Sequence, residues 1–443
     1  MIWEPAAECL PRADLERLQT ERLRATLRWC ADRVPFYRAI LETAGTTPDT
    51  IRGVQDLGRL PFTDKRDLCE HYPFGLFAVR LDTVRRVHAS SGTKGKPTVV
   101  GYTARDLDTW SVCMARGLVA AGARPGDLVH VAYGYGLFTG GLGFHYGAER
   151  LGCTVVPASS GNTLRQLLLI QDFHPRGLAC TPSFALHLGE ALRDAGVDGR
   201  SLGLRYGAFG AEPWTEGMRR QVEGLWGLTA VDFYGLSEVM GPGVAAECAE
   251  ARDGLHVNED HFLVEVVDPV TGTALPPGQE GELCFTSLTK EAFPVIRYRT
   301  GDLSALTRDP CRCGRTLARM ARVKGRTDDM IVIRGVNVYP SQVEAVLLEL
   351  PELAPHYQLV VDRAGSLARL EVQVEVTDLV LERWGGFKPD GPHIATLQAE
   401  VAGRLRGGLA IATEVVVVPP KTIPRSEGKA VRVVEKPAAR RTP

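Results

Sequence analysis

Residues 90 to 97 read Ser-Ser-Gly-Thr-Lys-Gly-Lys-Pro, and no other stretch constrains the chain as much. Gly92 and Gly95 allow the backbone to turn tightly, Ser90, Ser91 and Thr93 add hydroxyl donors, and Lys94 and Lys96 add positive charge. A loop of this kind, its backbone N–H groups converging on one point, suits a phosphate group. It is not the Walker loop, whose first glycine would fall at Ser90 and whose closing hydroxyl would fall at Pro97. Alone, the same residues would also serve as a polar turn between strands. The rest of the chain separates the two readings.

At 443 residues the chain exceeds one compact core, so two or three domains are expected. Its 44% hydrophobic and 24% charged residues are ordinary for a soluble globular protein. A formal net charge of −1 gives no electrostatic case for nucleic acid or an acidic membrane as partner. There is no apolar run of the roughly 18 residues that would read as a membrane span, and no leader pattern at the start. Glu4, Glu8, Arg12, Asp14, Glu16 and Arg17 read instead as an amphipathic helix. Ten cysteines are too sparse for a disulfide scaffold, so a reducing, cytoplasmic setting is expected. The basic tail from Lys421 to Arg441, with Glu427 and Glu435 among its cations, reads as a frayed, solvated terminus.

Residues 14–45 carry apolar positions at helical spacing (Leu15, Leu18, Leu23, Leu27, Trp29, Val34, Leu41). Strand and helix signals then alternate. Strands are expected at His130–Tyr133, Thr154–Pro157, Leu178–Cys180, Tyr206–Phe209 and Thr229–Asp232, with helices over 105–122 and 163–172. Such alternation predicts α/β layers with mostly parallel strands. From Gly254 short strands and turns predict a small β-rich subdomain (His256–Val257, Leu263–Val267, Gly281–Phe285, Val295–Arg299). Met330–Ile333, a helix from Ser341, and strands at Tyr357–Val361, Leu370–Val376 and Glu414–Val418 predict a compact α+β unit, with 384–393 as a surface loop. The main boundary is placed near Asp328, giving domains of 1–327 and 328–443.

Further segments supply what a nucleotide enzyme needs. Gly210-Ala211-Glu212-Pro213 and Tyr234-Gly235-Leu236-Ser237-Glu238 each follow a predicted strand, and Tyr298-Arg299-Thr300-Gly301-Asp302 closes another. Gly325 to Asp329 and Arg334 to Val338 flank the boundary, and Pro424 to Lys429 lies near the end. Glu238 offers a hard oxygen ligand for Mg²⁺. Tyr234 can stack on a base, Asp302 can accept from a ribose diol, and Lys429 can neutralise developing charge. Any one of these alone would read as a salt bridge or core contact; their order along one chain does not.

Together these motifs resemble the acyl-adenylating enzymes, and most closely the phenylacetate–CoA ligase branch. The resemblance runs through His88 to Thr93, Ala132 to Gly141, Phe209 to Thr215, Tyr234 to Cys248, Asp253 to His256, Asp260 to Phe262 and Thr286 to Ala292, and spans about residue 10 to Val434. It implies a large N-terminal adenylate-forming domain, built of layered α/β subdomains plus a β-rich one, with a small mobile α+β lid. It also implies two half-reactions. A carboxylate attacks the α-phosphorus of ATP·Mg²⁺, and a thiol then displaces AMP from the acyl-adenylate.

On that resemblance Ser90, Ser91, Gly92, Thr93, Gly95 and Lys96 would hold the β- and γ-phosphates. Gly210, Ala211, Glu212 and Pro213 would border the adenine, with Tyr234 and Gly235 against it. Ser237 and Glu238 would face phosphate and Mg²⁺, Asp302 and Arg326 the ribose. Asp328 would be the hinge, Lys429 the catalytic cation of adenylation, and Gly335, Val336 and Asn337 the thiol tunnel. Lys94 stands where the family usually has a second threonine. A homodimer is also implied.

Tyr135, Phe138, Gly141 and Phe144, with Phe209 and Pro242, are the candidate acyl pocket, so an aryl or arylacetic acid is expected. The bulk of Phe144 points away from plain phenylacetate, toward an aryl acid of natural-product assembly. Cys248, His256, Cys311 and Cys313 supply four ligands of the type structural Zn²⁺ prefers, and some relatives carry zinc in this region. Four unrelated side chains, or a redox-labile pair, would read the same way. The acceptor thiol is CoA or the phosphopantetheine of a carrier protein; the sequence does not separate them. An idle nucleotide-binding module is the third reading, opposed by the presence together of Glu238, Asp302 and Lys429.

Overall fold

A computed structural model describes residues 1–90, 97–327, 330–333, 336–362, 369–409, 412–426 and 430–436, the side chains of Val332 and Asn337 excepted. Its centre is a nine-stranded sheet. From one edge the order is Leu306–Thr307, Arg319–Met320, Leu255–Val257, Gly241–Glu247, Thr229–Leu236, Tyr206–Gly210, Gly177–Cys180, Leu128–Val131 and Thr154–Val156. The last five of these pair in parallel, and the others pair antiparallel. Parallel strands are buried on both faces, so they read as unbroken apolar runs.

Helix Ala104–Ala121 packs on this sheet through Trp110, Met114 and Leu118, all nearly inaccessible. A capping box starts it: Thr103 Oγ1 accepts from the Asp106 N–H, and Asp106 accepts from the Thr103 N–H. Gly122, at φ +106°, ends it in a conformation costly for any residue with a Cβ. Asp106 also accepts from the N–H groups of Glu291 and Ala292 at 2.7 and 3.0 Å. The helix start thereby pins the segment that carries Lys290.

A second sheet, ordered Phe262–Val267, Gly281–Ser287, Tyr298–Ser304 and Gly325–Arg326, carries Asp302. This is the expected β-rich region, with two corrections. His256 and Val257 belong to the large sheet, where His256 pairs with Arg319 and Ala246. The strand expected at Val295–Arg299 begins only at Tyr298, because Ser287 Oγ and Thr286 Oγ1 cap the N–H groups of Val295 and Arg297. Similarly, the strand from Thr229 runs on to Leu236 instead of stopping before Tyr234. Gly241–Glu247 pairs back along it and extends the ladder.

Two further expectations change. The N-terminal helical stretch divides into Arg12–Arg33 and Pro35–Thr43, since Pro35 has no N–H to continue the first helix. The basic tail is not a solvated terminus where it is described. Val433–Glu435 pairs in parallel with Leu359–Val361, and Arg425 and Arg432 bond to the buried carboxylates of Glu375 and Glu344. Lys421 reaches Asp194 at 2.6 Å.

From Ile331 the chain has its own apolar core. The four-stranded sheet here is ordered Glu414–Val418, Arg369–Val376, Leu353–Asp362 and Val433–Glu435. Helices Pro340–Leu347 and Pro392–Leu409 pack on it, and the second shortens the expected surface loop. This unit meets the large one at a charged seam. His356 Nε2 lies 2.9 Å from Glu190, Arg425 3.9 Å from the same carboxylate, and the Ala430 N–H donates to Glu212 at 2.8 Å. No helix among the described residues is long and apolar enough to cross a membrane.

Candidate active site

The strands of the phosphate loop form a hairpin, Arg86–Ala89 against Val99–Tyr102. Its mouth is held by the Ser90 N–H donating to Thr98 O at 3.0 Å. Ser91, Gly92, Thr93, Lys94, Gly95 and Lys96 lie outside the described residues, as do Asp328, Gly335, Lys429 and the side chain of Asn337. Val336 is half-buried in a short strand paired with Ile331–Ile333.

Gly210 to Pro213 sit at the carboxyl end of a parallel strand, where open α/β sheets bind ligands. A Cβ on Gly210 would stand 2.1 Å from Phe233 O, so only glycine lets the two strands close here. Ala211 follows at φ +72°, a left-handed conformation that costs an alanine about 1–2 kcal/mol and concentrates at functional sites. Glu212 accepts from the N–H groups of Ser183 and Ala430, both at 2.8 Å, and so ties the large unit to the small one.

Asp302 is held from both sides. Tyr234 Oη donates to its Oδ2 at 2.6 Å, and Arg326 Nη1 to its Oδ1 at 2.8 Å. Burial, and then the Asp302 charge, push the Tyr234 phenol well above its usual pKa, so it stays a donor. Its ring stacks on Phe285 at 6.0 Å. The buried Glu238 carboxyl is raised by desolvation, and the charges of Lys65 and Arg326 oppose that rise. Ser237 Oγ is 3.2 Å from Thr139 Oγ1. Thr139, Lys65 and Lys290 were given no role in the sequence reading; Thr139 and Lys290 lay in quoted motifs and Lys65 in none.

The candidate acyl residues divide. Tyr135 is half-buried, with Oη 3.2 Å from His145 Nδ1, and Phe138 is 37% exposed. Gly141 presses on Gly134 O and the Tyr135 ring, and Pro242 O accepts from Trp110 Nε1 at 2.8 Å. Phe209 is wholly buried in the core. Phe144 is also core, 1% exposed, stacked on Tyr133 at 4.9 Å and packed on Phe233 at 5.1 Å. Its bulk fills the protein interior, so the inference from Phe144 to an unusual aryl acid falls.

Cys248, His256, Cys311 and Cys313 bring their ligand atoms within 4.8 Å of one another. Cys248 Sγ is 3.7 Å from Cys311 Sγ, and Cys313 Sγ is 3.4 Å from His256 Nε2. A tetrahedral ion with ordinary Zn–S and Zn–N bonds would set these at about 3.8 and 3.5 Å. The cluster joins the loop after Leu306–Thr307 to the large sheet, through His256, rather than to the β-rich region.

The AMP-binding enzyme family matches residues 89–289, and the AMP-binding enzyme C-terminal domain matches 335–436. Over 440 residues the chain is 53% identical to the phenylacetate-coenzyme A ligase of Thermus thermophilus, covering 98% of this chain and 99% of that one. The chain belongs to the phenylacetate–CoA ligase family. The enzyme of that name from Escherichia coli is 52% identical over 95% of each chain. As a family member the chain is an AMP-forming acid–thiol ligase that uses ATP. Among solved structures, 2-hydroxyisobutyryl-CoA ligase in its postadenylation state, with R3-HIB-AMP, gives a TM-score of 0.91 at 30% identity, covering 98% of this chain and 92% of that one. The same enzyme in its thioesterification state, with 2-HIB-AMP and CoA, covers the same shares at 31% identity with a TM-score of 0.72. The lid here therefore stands closer to the postadenylation arrangement.

Proposed function

We propose that this chain activates phenylacetate or a close arylacetic acid with ATP·Mg²⁺ and passes the acyl group to CoA. A carboxylate oxygen attacks the α-phosphorus, the P–O bond to the β-phosphate breaks, and pyrophosphate leaves. The CoA sulfur then attacks the acyl carbon, loses its proton, and the C–O bond to AMP breaks. The protein's part is positioning and charge neutralisation. The loop at 90–97 grips the β- and γ-phosphates, Tyr234 lies against adenine, and Asp302 with Arg326 holds the ribose. Glu238, with Ser237 beside it, would hold Mg²⁺, which neutralises triphosphate charge when bound. Lys429 approaches the reacting carboxylate in the first step. The lid, from the Asp328 hinge onward, then swings to bring Gly335, Val336 and Asn337 to the thiol path.

The observation that carries this reading is the convergence of Tyr234, Asp302, Arg326 and Glu238 where the two sheets meet, in a chain similar end to end to named phenylacetate–CoA ligases. That similarity favours CoA over a carrier protein, and it counts against an idle module. The four-ligand cluster supports a structural, non-catalytic Zn²⁺. The reading includes a homodimer in the reducing cytoplasm, where those thiols stay available.

The test is a panel of aryl, arylacetic and aliphatic acids with ATP and CoA, the thioester read by mass. Phenylacetate should give the highest kcat/KM, with AMP as co-product. A clear preference for a benzoate or an alkanoate would overturn the substrate assignment, and acylation of a phosphopantetheinylated carrier but not CoA would overturn the acceptor.

A further inference from the structure

Lys290 is 3% exposed, yet its ammonium makes no ion pair among the described residues. Nζ sits 3.6 Å from the centre of the Tyr102 ring and donates to Met240 Sδ, a weak acceptor, at 3.8 Å. The carboxylate that acts on it, Asp106, is occupied by the N–H groups of Thr103, Glu291 and Ala292. A buried charge without a counterion is costly, and an apolar side chain of the same length would fill the space without that cost. Such a break with the rules of a stable core marks a place where something besides stability depends on the residue.

The surroundings show what depends on it. Tyr102 ends the second strand of the phosphate-loop hairpin, and its Oη donates to Met240 O at 2.6 Å. Burial keeps that phenol protonated, so it stays a donor, and the charge of Glu238 reaches it. Met240 closes the turn after Ser237 and Glu238, its N–H bonded to Leu236 O at 3.1 Å. The Tyr102 ring also stacks on Trp110 at 5.2 Å, and Trp110 Nε1 donates to Pro242 O just beyond the same turn. His88, in the first strand of the hairpin, stands edge-on to both rings, and its Nδ1 donates to Leu137 O of the acyl segment at 3.0 Å. Lys290 thus caps a ring stack where the hairpin, the acyl segment and the turn bearing Glu238 meet. A cation on a ring face is attracted by the ring's quadrupole, most strongly where both are desolvated. It also draws charge from the phenol, which makes the O–H a better donor.

We propose that Lys290 is a positioning residue for adenylation: seated on Tyr102, it fixes the Tyr102–Met240 bond and so holds the Ser237–Glu238 turn in register with the phosphate loop. The assignment deepens the reading above and rests on it. Lys290 touches no substrate and acts through Tyr102. Only the first half-reaction needs triphosphate and metal in register, so the role predicts an effect on that step alone.

The experiment measures acid-dependent pyrophosphate exchange, the reaction of preformed phenylacetyl-adenylate with CoA, and thermal melts. It uses the unaltered enzyme, Lys290→Met, Tyr102→Phe and the double variant, below pH 7, where the ammonium is retained. Lys290→Met should keep or raise Tm and lower the kcat of exchange about ten-fold, the scale of a desolvated cation–ring contact. Its reaction of adenylate with CoA should stay near the unaltered rate. Tyr102→Phe should likewise slow exchange alone, and the double variant should lose little beyond the larger single loss, since both substitutions act through one bond. Unchanged exchange in Lys290→Met overturns the proposal, and so do parallel losses in the two steps or independent, additive losses in the double variant. Should Lys290→Met fail to fold, Tyr102→Phe still decides, because full exchange in that variant overturns the proposal as well. An unaltered enzyme without any exchange would overturn the adenylation reading itself, which tells the two failures apart.

Discussion

Tyr234, on the large sheet, donates to Asp302, on the four-stranded sheet, at 2.6 Å, and this bond fastens the two sheets at the nucleotide site. Tyr234→Phe keeps the ring and removes the donor. We expect the KM for ATP in pyrophosphate exchange to rise about ten-fold, in line with a hydrogen bond to a charged group. Asp302→Ala, which also removes the 2.8 Å bond from Arg326, should lose more. An unchanged KM for ATP in Tyr234→Phe would mean that the bond does not shape the site.

The four-ligand cluster predicts about one zinc per chain. Metal analysis of protein purified without chelator checks the count, and Cys311→Ala with Cys313→Ala should release the metal and lower Tm. The same exchange turnover at reduced thermal stability would mark the ion as structural. Protein free of zinc with unaltered Tm would remove the claim.

Across the seam, Glu190 holds His356 at 2.9 Å and Arg425 at 3.9 Å. Burial alone would raise the Glu190 carboxyl, but the His356 hydrogen bond and the neighbouring positive charges bring it below its usual range. Its contribution is therefore present above the ordinary carboxyl range and is lost as pH falls through the lowered value. These contacts join the small unit to the large one, and the lid swing proposed above would part them. Glu190→Gln should slow acid-dependent exchange several-fold and leave the reaction of preformed acyl-adenylate with CoA as fast or faster. Parallel losses in both steps would show a general defect instead.

Lys290 is buried, with Nζ 3.6 Å from the centre of the Tyr102 ring and Met240 Sδ at 3.8 Å. Desolvation brings its pKa down to about 7. Below that value folding buries a charge, and between it and the ordinary lysine range the unfolded chain binds the extra proton. Stability attributable to this group thus rises from about pH 7 upward. Lys290→Met should stabilise by about 1–3 kcal/mol at pH 6 and by less at pH 9. Thermal melts at the two values check the sign.

Local signals carried much of this structure into the sequence. The turn-rich Gly254 region, the parallel strands and the Thr103 cap are written in neighbouring residues, and Cys311-x-Cys313 announces itself. What stayed hidden is non-local. Tyr234 and Asp302 are 68 residues apart, Glu190 and His356 166, and no spacing rule joins either pair. Phe144 misled because an aromatic in a Gly-rich run reads alike in pocket and core, until Tyr133 and Phe233 are seen to enclose it. The tail misled because its cations find buried carboxylates on strands and helices far upstream.

The most direct test of the central claim follows oxygen. With phenylacetate labelled with ¹⁸O in its carboxylate, plus ATP, Mg²⁺ and CoA, one labelled atom should appear in AMP, because the acyl–oxygen bond is the one that breaks in the second step. Label in orthophosphate, or AMP carrying none, would contradict an acyl-adenylate formed at this site.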